Sequence, residues 1–126
     1  DVLVNLGGDI AASVASIDSE PWRIGIESIR HHTSSDTTIQ FSRGGIATSG
    51  DTNKYLLKNG VRYSHVLDPR TGWPVKEAPQ SITVAAANCT EAGMYSTLAM
   101  LQGRDAESFL TDNDIRYWIQ RAKTTN

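Results

Sequence analysis

Near Ala86 the hydrophobic period of this chain changes, and that change restricts its folds more than any other feature. Before it, apolar and polar residues alternate in short runs, the spacing of half-buried strands. In "WRIGIES", Trp22, Ile24 and Ile26 fall on one face and Arg23, Gly25 and Glu27 on the other. In "QSITVAAANC", Ile82, Val84 and Ala86 face one way. After it, "TEAGMYSTLAMLQG" carries Met94, Leu98 and Leu101 at i, i+4 and i+7. That is the stripe of a helix, with Thr90 as its expected N-cap and Gly103 as its stop. A short second helix follows in "DAESFLTDND", with Ala106, Phe109 and Leu110 on one stripe. "IRYWIQR" then reads as a last strand, Ile115, Tyr117 and Ile119 against Arg116, Trp118 and Gln120.

Turn residues divide the earlier part. "VLVNLGGDIAAS" reads as two strands about Gly7-Gly8, and "IQFSRGGIATSGD" as strand, turn, strand. Asn59-Gly60 stands between two alternating runs in "NKYLLKNGVRYSHVLDP", which predicts a tight hairpin. "IRHHTSSDTT", residues 29–38, is polar and reads as a loop. Many strands, two late helices and one closing strand argue for an α+β fold. Its sheet is expected to be mostly antiparallel, with both helices packed on one face.

The length of 126 residues suits one domain. A net charge of −2 gives no field to attract nucleic acid or an anionic membrane. The single Cys89 rules out an internal disulfide. No apolar run has the length of a bilayer span. The opening "DVLVNLGG" has no Met and starts inside an apolar run, as expected of a processed or truncated chain.

Candidate chemistry gathers in a few places. In "YSHVLDPRTGWP" a turn needs Asp68, Pro69 and Gly72, but it does not need the imidazole of His65 at the strand end before it. Ser49, Gly50 and Asp51 either line a site or make a turn. Gly7-Gly8 with Asp9 is open to the same two readings, and neither a dinucleotide fingerprint nor a P-loop is present. His31-His32 has no third ligand nearby and is read as a solvated loop. Gly93 and Thr97 are four residues apart, so they share one face of the helix.

Taken together, "LVNLGGDI", "GIATSGD", "YSHVLDPRTGWP" and "SITVAA" with "TEAGMYSTLAMLQG" resemble the ApbE family of FAD:protein FMN transferases, and "SHVLDPRTGWP" is the most specific segment. The resemblance covers nearly all of residues 1–126 and only the C-terminal part of the family's usual length. It implies FAD as substrate, Mg²⁺ as metal, and transfer of FMN to a Thr of an acceptor flavoprotein with release of AMP. Some members hydrolyse FAD instead. It puts His65 in a catalytic and flavin-binding role and Leu67 against the flavin nucleotide. It puts Thr97 at a metal-binding position. Gly93 falls where the family has a metal-binding Asp, so that carboxylate is absent, and Glu91 is the neighbour that would substitute. The family's N-terminal half, with further FAD contacts, is also absent. Family members act as lipoproteins in the bacterial periplasm or at the outer face of the inner membrane. A non-catalytic flavin-binding protein, an FAD pyrophosphate hydrolase and a plain interaction domain are the alternatives.

Overall fold

The computed structural model describes residues 1–29, 35–50 and 54–121. His31, His32 and Asp51 lie outside the described residues. The centre is a five-stranded antiparallel sheet in the order β1-β2-β5-β8-β9. Its strands are β1 (Val2–Leu6), β2 (Asp9–Ser13), β5 (Gly44–Gly50), β8 (Ser81–Ala86) and β9 (Arg116–Gln120). Two hairpins stand apart from it, β3 (Trp22–Glu27) with β4 (Ser35–Phe41), and β6 (Tyr55–Lys58) with β7 (Val61–Ser64). The helices are α1 (Cys89–Leu101) and α2 (Ala106–Asp112), joined by a 3-10 turn at Gly103–Asp105.

The register assigns each residue of the central sheet to a face. Ala47 lies opposite Val84, and Ile46 opposite Ala85. Ala47, Ile82 and Val84 meet Ala92, Ala99 and Met100 of α1 and Ala106 and Leu110 of α2 in one buried cluster. Both helices therefore cover one face, as the sequence implied. The other face is covered too. Ala12 and Ile46 pack with Ile24, Ile26, Ile39 and Phe41 of the β3–β4 hairpin in a second cluster. The result is three layers, helices, sheet and hairpin. The Gln120 side chain ties the hairpin to β9, accepting from the Ile29 amide at 3.0 Å and donating to the Glu27 carbonyl at 2.8 Å.

Three expectations change. β4 starts at Ser35, inside the stretch expected to be loop, because Thr37 and Thr38 pair with Ile26 and Gly25. Branched Thr suits a strand as readily as a loop once a partner is present. The N-cap of α1 is Asn88, not Thr90. Asn88 is extended, and its side-chain oxygen accepts from the Glu91 amide at 2.9 Å. The buried stripe of α1 is Ala92, Ser96, Ala99 and Met100. Met94 and Leu98, expected on that stripe, are 50% and 38% exposed.

The start of α1 sits close to the sheet. A Cβ at Gly45 of β5 would stand 2.1 Å from the Cys89 nitrogen and 2.3 Å from the Asn88 carbonyl carbon. The backbone of the helix start rests on the strand where a side chain would be. At the helix start the small Ala92 and Ser96 lie against the sheet, the larger Met100 is buried near the helix end, and Met94 and Leu98 turn outward.

At the far end, Arg121 closes the helix layer. Its guanidinium grips Glu107 of α2 at 2.8 and 2.6 Å and donates to the Glu77 carbonyl at 2.8 Å. That hydrogen bonding from Arg121 lowers the Glu107 pKa below its ordinary 4.5. A depressed carboxylate stabilises the fold above its unfolded pKa, and the gain is lost as pH falls through the folded value. Glu107→Gln is therefore expected to lower stability by about 1 kcal/mol at neutral pH, a value discounted for the pair's partial exposure. Melting temperatures against pH check it: the gap between variant and wild type should close as pH falls below about 4.5.

Candidate active site

A cleft of about 620 Å³ opens at the end of the central sheet where β5 finishes and β8 begins. That volume is within the usual range for a small-molecule site. His65, Lys54, Ser49 and Thr97 line it, together with Glu27 of β3 and Gly7 and Gly8 of the first turn.

His65 comes to the cleft through two turns. Asn59 and Gly60, both at positive φ, close the β6–β7 hairpin and fix its register. β7 ends at Ser64, and the chain enters the Asp-Pro-Arg-Thr-Gly turn. Asp68 organises that turn. Its carbonyl accepts from Thr71 at 3.1 Å and Gly72 at 2.7 Å, and its carboxylate accepts from the Arg70 amide at 2.9 Å. Arg70 also grips the carboxylate through its guanidinium, and this holds the Asp68 pKa below 3.8. The strand end is thus held while His65 stays exposed. Its Nδ1 lies 2.8 Å from the Lys54 carbonyl oxygen. A carbonyl only accepts, so Nδ1 carries the hydrogen, and the neutral ring keeps its lone pair on Nε2.

Thr97 comes from α1. The Ser49 hydroxyl stands 2.9 Å from that of Ser96 and 3.1 Å from that of Thr97. Ser96, fully buried, donates its one proton to the Gly93 carbonyl at 3.0 Å. Ser49 must then donate to Ser96, and Thr97 to Ser49. This chain of hydroxyls points into the helix and leaves the Thr97 oxygen presenting lone pairs.

The structure brings His65 and Thr97 to one cleft. Leu67 is not part of its lining. It bridges Pro74 across the turn and is 52% exposed. Val66 lines the cleft instead, and Leu67 is already paired with Pro74 at the base of the turn. Gly93 faces the sheet, where a Cβ would meet only the Ala47 Cβ at 3.9 Å. Glu91 does not line the cleft either; six residues from Thr97, it is about 9 Å along the axis and 240° around it. Ser96 and Lys54 were not legible as site residues. A serine inside a helix and a lysine before a strand carry no signal until the fold joins them to Ser49 and His65.

Mg²⁺ wants carboxylates, phosphates and water. Among the described residues no three of His, Cys, Asp or Glu stand close enough to hold an ion. The one carboxylate among the described lining residues, Glu27, comes from the hairpin layer across the sheet from α1. Among the described residues, hydroxyls without a carboxylate beside Thr97 do not fit Mg²⁺.

The ApbE family model matches residues 1–119. The chain is 38% identical over 104 residues to the FAD:protein FMN transferase of Vibrio cholerae, covering 82% of this chain and 31% of that protein. Against the FAD:protein FMN transferase of Haemophilus influenzae the identity is 35% over 105 residues, with 82% and 30% covered. Of solved structures, the ApbE protein of Thermotoga maritima matches with a TM-score of 0.77 and 30% identity over 98% of this chain and 43% of that one. The flavinyl transferase ApbE of Pseudomonas stutzeri, in its apo form, matches with a TM-score of 0.77 and 31% identity over 93% of this chain and 36% of that one. The chain spans about a third of the length of these curated relatives. With the family model covering nearly every residue and the same fold in both solved relatives, this chain belongs to the ApbE family.

Proposed function

We propose that this chain carries the His65 side of the active site of an FAD:protein FMN transferase. The substrate is FAD, and the partner is an acceptor flavoprotein that offers a Thr hydroxyl. The observation that carries the reading is a cleft shared by a histidine of fixed tautomer and the Thr97 hydroxyl. His65 Nε2 takes the proton of the acceptor hydroxyl. The hydroxyl oxygen forms a bond to the FMN-side phosphorus, the bond to the bridging pyrophosphate oxygen breaks, and AMP leaves. With water in place of the acceptor the same step hydrolyses FAD. The site of action in this proposal is the bacterial periplasm or the outer face of the inner membrane.

Incubation with FAD and an acceptor flavoprotein tests the reading. Covalent FMN on the acceptor, seen by mass spectrometry, with AMP in equal amount supports it. Flavin binding with neither transfer nor AMP would favour the second reading, a non-catalytic flavin-binding protein. The missing carboxylate at Gly93 is the observation behind that reading.

The same position offers a sharper check on the metal. Gly93→Asp should fold, since a Cβ there makes ordinary contact only. A new carboxylate one helical turn from Thr97 is expected to introduce a Mg²⁺ dependence of flavin binding. Titration of variant and wild type with Mg²⁺ checks this, and identical curves would remove this face of α1 from any metal site.

A further inference from the structure

The cleft has a second nitrogen-bearing side chain besides His65. Lys54, directly before β6, is exposed and lines the cleft beside His65, whose ring it holds through its own carbonyl. In the same cleft the hydroxyl chain of Ser96, Ser49 and Thr97 ends in an acceptor, the Thr97 oxygen. An acceptor at that place suits a cation. The helix supplies no carboxylate to hold a divalent one there, because Gly93 has no side chain. A lysine needs no such ligand: its charge is covalently attached, its stem is flexible, and it carries three donors.

We propose that the Lys54 ammonium is the resident cation of this cleft, gripping the anionic phosphates of the ligand where the described residues offer a divalent ion no carboxylate cluster. The assignment of those phosphates to a dinucleotide pyrophosphate rests on the flavin-transfer reading; the anion site itself rests on the cleft. In the site, Lys54 donates to phosphate oxygens and the Thr97 oxygen accepts a further ammonium proton. Lys54 thereby discriminates phosphorylated ligands from uncharged ones. Its backbone role toward His65 is separate and survives any side-chain change.

The test measures binding of inorganic pyrophosphate and of riboflavin to the wild type, Lys54→Met and Lys54→Arg, each in EDTA and in MgCl2. Wild type is expected to bind pyrophosphate in EDTA. Lys54→Met should weaken that binding about tenfold, the loss of one ammonium–phosphate contact at partial exposure. Lys54→Arg should restore it, and riboflavin affinity should be the same in all three. Equal pyrophosphate affinity in wild type and Lys54→Met overturns the proposal. So does binding of pyrophosphate only when MgCl2 is present. A parallel loss of riboflavin affinity in Lys54→Met also overturns it, by showing a structural rather than an anion-holding role. If pyrophosphate binding depends on Lys54 while riboflavin, FMN and FAD are not bound at all, the anion site stands and the flavin reading falls.

Discussion

Replacing Gly45 by alanine is expected to destabilise this protein by about 3 kcal/mol, near the upper end of the range for overpacking a tight core. The new Cβ would stand 2.1 Å from the Cys89 nitrogen and 2.4 Å from the Cys89 Cα. Both are backbone atoms, so no side-chain rotation relieves the clash. α1 would have to lift from β5, taking the buried Ala92 and Ser96 contacts with it. For a chain of this size the melting temperature should fall by roughly 10 °C. Gly93→Ala is the matched control. Its Cβ meets only the Ala47 Cβ at 3.9 Å, and alanine is the better helix former. That variant should be neutral or more stable by up to about 1 kcal/mol. Thermal melts of the two variants side by side check the pair. A Gly45→Ala protein as stable as the wild type would show that the helix start does not rest on β5 as described.

The second large effect is on chemistry. In the intact protein His65→Gln is expected to lower the rate of FMN transfer by about 10²–10⁴-fold, the usual contribution of a general base. Glutamine retains bulk and a donor for the Lys54 carbonyl, so the melting temperature should change little. Flavin affinity should fall far less than the rate, because the lost group acts on a proton. Single-turnover transfer and flavin titration of the same preparation separate the two. If rate and affinity fall together by the same factor, His65 holds the ligand and is not the base. A variant that transfers as fast as the wild type removes His65 from the site.

The two effects come from different levels of organisation. Which residues form strands and turns was legible in the sequence, because those signals are local. Alternation at Trp22–Glu27 and Ser81–Ala86, the Asn59-Gly60 turn and the change of period before α1 each lie within a few residues. The α+β class followed from their order. His65 stood out for a local reason too, as a titratable ring beside a turn that had no need of it.

The tertiary structure alone decided how those elements meet. The sequence favoured Met94 and Leu98 for the buried face of α1, since spacing and hydrophobicity were all it offered. The fold buries Ala92, Ser96, Ala99 and Met100 instead, with the helix start seated closely on Gly45. Coverage of the second sheet face by β3 and β4 depends on long-range packing that no local pattern encodes. The site is the clearest case. Ser49 and Ser96 are 47 positions apart in sequence and 2.9 Å apart in space. Lys54 lines the cleft and meets, through its carbonyl, the ring of a residue 11 positions later. Local spacing can nominate a residue for chemistry, but hydrogen bonds between distant elements set its partners, its tautomer and its direction.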